Sequence, residues 1–445
     1  MALLGNSESA MSLHTNLRVL AMNHSDTVGG AARAAYRVHN AVRLLGVESI
    51  LRVNQKELQD PTVQGPANKL SRLLAKFYSG MGQLLIKPFK SNPAIYQSIA
   101  LMPTRWAARL NASQNNVVHM HWVNGEMISI ADIGKIHKPL IWTLHDMWGI
   151  AGAEHYCGDV RAHDGYTKEN RPQGESGFDL NRWTWLRKVR HWKRPILITT
   201  PSHWMAEKIS ESALMKDWPV MAIANPLDTE IWRPIDQSIA REELGLPQNV
   251  PLILFGASGG ATDPRKGFDL LLESLPLLQK SMHDQGMSSL ELVVFGQDAP
   301  KGGSELSNLK IPTHYMGHIN NDHTLQLLYS AADVMVVPSR QETFGQTASE
   351  ALACGCPVAA FGATGLLDVV EHLTCGYLAK PYDPQDLATG IEWLIRSQQD
   401  EKNAGRLNQS SLRLAARKHA VDHFSYPVIA KQYIAAYQYA IKMRS

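Results

Sequence analysis

Two carboxylates, Glu342 and Glu350, stand with seven residues between them in the stretch RQETFGQTASEALACG, Arg340 to Gly355. Just ahead, VMVVPS at Val334 to Ser339 reads as the end of a buried apolar strand. Thr343 with Gln346, and Thr347 with Glu350, both match a hydroxyl cap followed three residues on by an amide or carboxylate. Gly355 stands where a helix C′ residue belongs, and Pro357 prevents continuation. The spacing therefore predicts strand, loop and short helix. With Thr343 as the cap, the N–H groups of Phe344, Gly345 and Gln346 would point outward from a positive helix end. Gly345 would put no side chain in the way of an anion. Glu342 would lie just outside the helix and Glu350 about two turns in, touching different parts of one elongated ligand. The same spacing also suits a helix in which Glu350 only caps and Glu342 is solvated.

Three further stretches carry chemistry. DPRKGFDLL, Asp263 to Leu271, sets Arg265 and Lys266 at the mouth of a helix, where two cations suit a diphosphate. The alternative is a solvated charge pair. VGGAARAA, Val28 to Ala35, follows a first strand, and Gly29 and Gly30 permit close backbone approach. It lacks the GxGxxG spacing of a dinucleotide site and serves equally as a tight turn. WTLHDMWG, Trp142 to Gly149, ends a strand on His145 and Asp146. Neighbours in a strand point to opposite faces, so these two form no triad. No D-x-D, HExxH or Cys/His cluster occurs, which implies no catalytic metal.

These residues need elements to hold them. LRVLAM at Leu17 reads as a first strand, and a helix follows through about Leu45. VVHMHW at Val117, PLIWTL at Pro139, PILITT at Pro195 and VMAIAN at Val220 continue the alternation. After NPLDTEIWRP the pattern restarts with PLILFGAS at Pro251, the helix FDLLLESLPLLQ, and LELVVFGQ, THYMGHI, DVMVVPS and CPVAAFG. Such alternation predicts α/β architecture with two doubly wound, Rossmann-like domains, hinged near Asn225 to Pro234. Ligands of such sheets collect beyond the C-terminal strand ends, so an interdomain cleft is expected.

The chain has 445 residues, 44% hydrophobic and 19% charged, which fits a soluble protein of two or three domains. A net charge of +3 does not point to nucleic acid. Cys157, Cys354, Cys356 and Cys375 form no CxxC and fit a reducing, cytoplasmic setting. The N-terminus reads as no signal peptide, and no run is apolar enough to span a bilayer. Two stretches are basic. RWTWLRKVRHWKRP, Arg182 to Pro195, interleaves Trp183, Trp185 and Trp192 with six cations. From Pro61 to Gly125 there is no Asp or Glu, while Lys69, Arg72, Lys76, Lys87, Lys90, Arg105 and Arg109 fall there. Basic helices with apolar faces rest on anionic lipid or meet an anionic acceptor. For the Trp-rich stretch a solvated face over core tryptophans is preferred.

Together these motifs resemble the retaining glycosyltransferases of family 4, the group 1 transferases of GT-B fold, over most of the chain. The E-x7-E signature, Glu342 to Glu350, is the most specific element. NPLDTEIWRP and ADVMVVPS resemble the family's interdomain segment and the strand before the signature. GGAARAAYRVH, HWVNGEMISI and WTLHDMWG look like a bacterial branch that builds surface polysaccharide. FSYPVIAKQYIAAYQYAI looks like a C-terminal helix crossing back to the first domain.

The resemblance implies GT-B architecture, with two facing domains: 1–228 on the acceptor side, 229–420 binding the nucleotide-sugar, and 421–445 as the crossing helix. It implies a metal-independent hexosyltransferase with no cofactor beyond its nucleotide-sugar donor, UDP- or GDP-linked. The acceptor would be a glycan or lipid-linked oligosaccharide; the basic, acid-free stretch adds the expectation of peripheral contact at an anionic cytoplasmic membrane face. Glu350 would bind ribose hydroxyls and Glu342 the donor sugar. Amides of Phe344, Gly345 and Gln346 would hold sugar and phosphate. Lys266 would take the diphosphate with Arg265 nearby, His145 would sit at the reacting face of the sugar, and Gly29 and Gly30 would line the phosphate side. Gly317 to Ile319 would lie near the base. The family usually carries an Arg after the strand-exit glycine. Here FGASGG places Ala257 and Ser258, so Arg265 compensates or the diphosphate is held differently. Other readings of the set are a nucleotide-sugar epimerase or phosphorylase-like enzyme and a non-catalytic binder of nucleotide-sugar or glycan.

Overall fold

The computed structural model describes residues 17–89, 96–157, 160–256, 263–286, 289–299, 309–403 and 410–444. The expectations at Ala257, Ser258 and Lys90 lie outside these residues. The apolar runs of the first part form β1 (Arg18–Ser25), β2 (Glu48–Gln55), β3 (Val63–Gln64), β4 (Val117–Met120), β5 (Leu140–Thr143), β6 (Leu197–Thr200) and β7 (Val220–Ala222). They join in one parallel sheet of order β3-β2-β1-β4-β5-β6-β7. The second part supplies β8 (Leu252–Gly256), β9 (Glu291–Phe295), β10 (Thr313–Tyr315), β11 (Val334–Val337), β12 (Val358–Phe361) and β13 (Gly376–Ala379). Their order is β10-β9-β8-β11-β12-β13, again parallel.

Every residue of β4, β5, β6, β8, β11 and β12 is buried, as in strands covered on both faces. That is why each reads as a short, mainly apolar run. β2, β3 and β13 escape such a reading. β2 alternates buried and accessible positions and carries Glu48, Arg52, Asn54 and Gln55.

Each sheet reverses its order beside its first strand. β1 lies between β2 and β4, and β8 lies between β9 and β11. Ligands of open parallel sheets gather outside the strand ends at such a reversal. The chain after β8 passes Asp263 to Gly267, and the chain after β11 passes Pro338 to Gln346. The two motifs richest in chemistry are thus delivered to one switch point.

The chain divides into two compact units, Met1–Pro226 with Tyr426–Ser445, and Leu227–Ser425. The helix Tyr426–Lys442 belongs to the first unit: Ile429, Tyr433, Ile434 and Tyr437 share a core with Val19, Val117, Ile141 and Leu197. The two passages between units are tied together where the Leu227 N–H donates to the Phe424 carbonyl at 2.7 Å. Among the described residues no helix is long and apolar enough to cross a membrane.

The Trp-rich basic stretch is the expected solvated face only in part: Arg190, Lys193 and Arg194 are exposed and Trp192 lies in the core, but two of its cations turn inward. It forms the helix Leu180–His191, and Lys188 is fully buried there. Its ammonium donates to the carbonyls of Trp148, Ala151 (2.9 Å) and Gly152 (2.8 Å) and lies 3.9 Å from the centre of the Trp148 ring. Arg187 likewise turns inward onto the carbonyls of Ile99 (2.6 Å) and Ala100 (2.9 Å). Burial holds the Lys188 amine well below its ordinary value, against the pull of Glu154 and Asp146. Lys188→Ala is expected to leave three core carbonyls without their donor and to destabilise the first unit by about 3 kcal/mol or more. Urea denaturation followed by tryptophan fluorescence checks this, and an unshifted midpoint would contradict it.

Candidate active site

In the second unit two strand exits touch through their backbones. Pro264–Lys266 form a single 3-10 turn that opens onto the helix Phe268–Asp284 through Gly267, at φ +66°. A Cβ on Gly267 would lie 1.8 Å from the Pro338 carbonyl oxygen, so no other residue fits. The contact is laced on both sides. The Arg340 N–H donates to the Arg265 carbonyl at 2.7 Å, and the Arg340 guanidinium forks onto Asp269 at 2.7 and 2.6 Å. Asp269 is held below the usual carboxylate range, first by its bonds from Arg340.

This closeness brings Lys266 Nζ to 2.5 Å from Glu342 Oε1, which also accepts from Ser339 Oγ at 3.0 Å. Arg265 is turned to its own loop, with Nε at 3.1 Å and Nη2 at 2.6 Å from the two oxygens of Asp263. The backbone at Glu342 is fixed by the turn around Thr364. The Glu342 N–H donates to Thr364 Oγ1 at 3.1 Å, and its carbonyl accepts from the Gly365 N–H at 2.9 Å. Thr364 adopts φ 56°, unusual for a β-branched residue. A Cβ on Gly365 would meet the Thr343 carbonyl at 2.5 Å.

The helix begins later than capping patterns predict. It spans Gln346–Ala353, its N-cap is Gly345 at φ +104°, and no side chain caps it. Thr347 lies inside the helix instead of capping it. The contacts of Thr343 with the Thr364–Gly365 turn hold that residue outside the helix, and the chain turns at the one position tolerating positive φ. At the other end Gly355 takes the expected C′ place. The Cys356 and Gly355 N–H groups donate to the carbonyls of Ala351 (2.8 Å) and Leu352 (2.9 Å), a Schellman closure. Glu350 is only 2% exposed, and its Oε2 accepts from the Tyr329 hydroxyl at 3.0 Å. Phe344 is buried against Phe424, ring centres 5.5 Å apart. Gly317, after β10, accepts at its carbonyl from the Gly296 N–H at 2.8 Å. An open groove of about 650 Å³ lined by Glu230, Arg233, Pro234, His323 and Gln326 includes none of these residues, so chemistry and not cavity size marks the site.

In the first unit His145 does not pair with Asp146. Asp146 caps the following turn through Trp148 N (2.9 Å), bonds His155 Nδ1 at 2.6 Å and accepts from Trp122 Nε1 at 2.9 Å. His145 Nε2 meets His121 Nδ1 at 3.0 Å, with the rings stacked. His121 lies 4.1 Å, ring to ring, from His119, which bonds Thr143 Oγ1 (2.7 Å) and the Tyr437 hydroxyl (3.0 Å). His121 Nε2 is buried without a partner. An unpaired buried N–H is costlier than an unpaired lone pair, which favours the tautomer with the His121 proton on Nδ1, facing His145 Nε2. Sequence reasoning gave His119 and His121 no role, although two residues spaced i, i+2 in a strand share one face. Gly29 is the N-cap of the helix Gly30–Leu44 at φ +87°, and its Cβ position is open. Its glycine requirement is therefore conformational.

A family model described as glycosyl transferases group 1 matches residues 236–410, which hold Lys266, Glu342 and Glu350. The D-inositol 3-phosphate glycosyltransferase of Jonesia denitrificans is 27% identical over 329 residues, 73% of this chain and 71% of that one. Residues 236–410, within the second unit, are thus similar to the group 1 glycosyltransferases. The corresponding enzyme of Stackebrandtia nassauensis is 30% identical over 49% of this chain and 48% of its own length, so that match spans about half of each. The structure of Anabaena HepE with UDP and glucose shares the fold, with TM-score 0.59, 16% identity, and 95% of this chain and 100% of that chain covered. The two sheets are those of the GT-B class. Lys266, Glu342 and the start of the Gln346–Ala353 helix fall in one unit, and His145 belongs to the other.

Two expectations follow. Gly267→Ala should destabilise the second unit by about 2 kcal/mol or more through clash and left-handed strain. A denaturation midpoint equal to wild type would remove the close-approach account. The second concerns pH. Burial lowers His119 to about 3, and His145 and His39 to about 4, from an ordinary 6.5. The unfolded chain thus takes up protons below about pH 6.5 that the folded chain refuses. This contribution to stability is fully present above pH 6.5 and is lost as pH falls toward 4, at a limiting slope of about 1.4 kcal/mol per pH unit per ring. Melting temperatures between pH 7.5 and 5 should fall in that direction, and a flat profile would contradict neutral burial.

Proposed function

We propose that this chain is a group 1 glycosyltransferase that moves a sugar from a nucleotide-sugar to a glycan or lipid-linked acceptor, with retention and without a metal, in surface-polysaccharide synthesis on the cytoplasmic side. The observation that carries the reading is the Lys266–Glu342 pair at 2.5 Å, beside the start of a helix holding the buried Glu350. An ammonium has three donors, so pairing with Glu342 does not exclude a diphosphate oxygen on Lys266. Glu342 would take sugar hydroxyls. Ribose hydroxyls would bond Glu350, whose orientation Tyr329 fixes. The amides of Phe344, Gly345 and Gln346 would hold sugar and phosphate, and Gly29 and Gly30 would line the phosphate side of the first unit. HepE, which shares the fold, was crystallised with UDP and glucose, and this favours a UDP-linked donor.

The chemistry would run as follows. The bond from the anomeric carbon to the diphosphate breaks, negative charge grows on the leaving oxygen, and the sugar becomes cationic. Lys266 and backbone amides stabilise the first charge, the task a metal ion performs elsewhere. Among the described residues no three His, Cys, Asp or Glu side chains gather as a metal would require. The acceptor hydroxyl forms the new bond on the face the diphosphate leaves, and its proton passes to the leaving phosphate. His145 is neutral at physiological pH and would hydrogen-bond the donor sugar.

A thermal-shift and nucleotide-release panel of UDP-, GDP- and ADP-sugars, with and without EDTA, tests the reading. One donor should stabilise the protein, and its slow hydrolysis should survive EDTA. Glu350→Ala and Lys266→Ala should each weaken donor binding about tenfold to 100-fold. His145→Ala should lower kcat about 100-fold with little change in donor KM. Equal donor affinity in wild type and Glu350→Ala would refute the ribose role, and a sugar trapped on a protein side chain would refute the front-face route.

A further inference from the structure

The helix Lys69–Ile86 is the least covered long helix of the first unit. Of its 18 residues only Gly82 and Ile86 are buried, both in the last turns. Ile86 joins a small core with Ile99, Ala153 and Leu180, and a Cβ on Gly82 would lie 2.5 Å from Glu126 Cγ. Ser71, Ala75, Tyr78, Ser79 and Met81 are partly covered, but the large apolar side chains stand clear: Leu70 is 65% exposed, Leu73 64%, Phe77 54% and Leu84 63%. At about 100° per residue these four with Leu74 and Leu85 fall within an arc of about 120°. The docked residues Gly82 and Ile86 lie about 140° from the centre of that arc. Lys69 and Lys76 are exposed along one flank of it, about 100° and 120° from its centre, and the exposed Arg72 stands behind them at about 160°. The helix contains no Asp or Glu, and none occurs anywhere from Pro61 to Gly125.

We propose that the Lys69–Ile86 helix is a membrane-surface anchor that lays this apolar arc into the headgroup boundary of an anionic bilayer. The charge pattern selects the occupant. Lys and Arg flanking an exposed apolar face suit anionic headgroups above acyl chains. A second copy of the same helix fits poorly, because pairing the two faces would bring like charges together with no acid on either helix to offset them. The anchor lies along the surface and does not span it. The Trp-rich helix is no rival, because Lys188 and Arg187 are committed to interior carbonyls. The inference deepens the transferase reading only by placing the enzyme where a lipid-linked acceptor resides, and its test uses no nucleotide.

The experiment is flotation of the full chain with vesicles of phosphatidylcholine alone or with phosphatidylglycerol, at about 0.1 and 0.5 M salt. Binding should require the anionic lipid and weaken at high salt. Lys69→Gln with Arg72→Gln and Lys76→Gln should weaken it about 100-fold at low salt. Leu73→Asp with Phe77→Asp should abolish it while leaving the melting temperature and any donor-induced thermal shift at wild-type values, because both sites are exposed. No flotation of the wild-type chain would overturn the proposal. So would equal flotation of the Asp variant, or a concentration-dependent dimer in lipid-free sedimentation that the Asp variant loses. A failed donor panel alongside intact flotation would strike the transferase reading alone, and the reverse pattern would strike the anchor alone.

Discussion

The second unit is organised by one close approach. Gly267 lies so near the Pro338 carbonyl that even a methyl group would overlap it. Because the exits of β8 and β11 meet through backbone, Lys266 reaches Glu342 without depending on a fortunate rotamer, and Arg340 braces the opposite side through Asp269 and the Arg265 carbonyl. A partly buried ion pair of this kind is weak evidence for stability, since desolvation offsets much of the attraction. Its placement at the reversal of the sheet order is better explained by a ligand that carries charge.

Glycine and left-handed backbone do at this helix start what a capping side chain does elsewhere. Gly345 turns the chain at φ +104°, while Thr364 and Gly365 press on the preceding peptide. The bend at Thr343 is thereby held outside the helix, and Glu342 keeps a fixed relation to the helix that carries Glu350. The first unit solves its own positioning problem with buried rings. His145 is braced by His121, and His119 beside it is braced by Thr143 and by Tyr437 from the helix Tyr426–Lys442. Burial keeps these rings uncharged, so the stack acts through hydrogen-bond direction and not through charge.

Much of this is legible in the sequence, for a definite reason. Strands covered on both faces are mostly apolar, with only a few hydrogen-bonded exceptions such as His119 and Thr143, so most of the sheet and both strand exits at the switch point announce themselves. β2 is half-buried and alternating, so a search for unbroken apolar runs passes over it. The helix start is misread because Thr343 with Gln346 satisfies a local rule that the distant Thr364–Gly365 turn overrides. Lys266 and Glu342 are readable as candidates, but their contact spans 76 positions of chain and follows from the fold alone. The His119–Tyr437 bond, across 318 positions, has no local signal at all.

The two basic stretches show how little composition decides by itself. The Leu180–His191 helix meets a loop whose carbonyls at Trp148, Ala151 and Gly152 point inward, and its lysine becomes an internal donor. The Lys69–Ile86 helix meets no such partner along most of its length. Its first turn is closed locally instead: Asn68 Oδ1 accepts from the Ser71 N–H at 2.8 Å, and the Asn68 N–H donates to Ser71 Oγ at 3.1 Å. A reciprocal cap of this kind is worth only about 1 kcal/mol, and helices of this length gain most of their stability from burying an apolar face. Here that face is exposed, so the order of the helix and the occupancy of its surface are coupled. A surface that covered Leu70, Leu73 and Phe77 would add stability that the rest of the first unit does not supply.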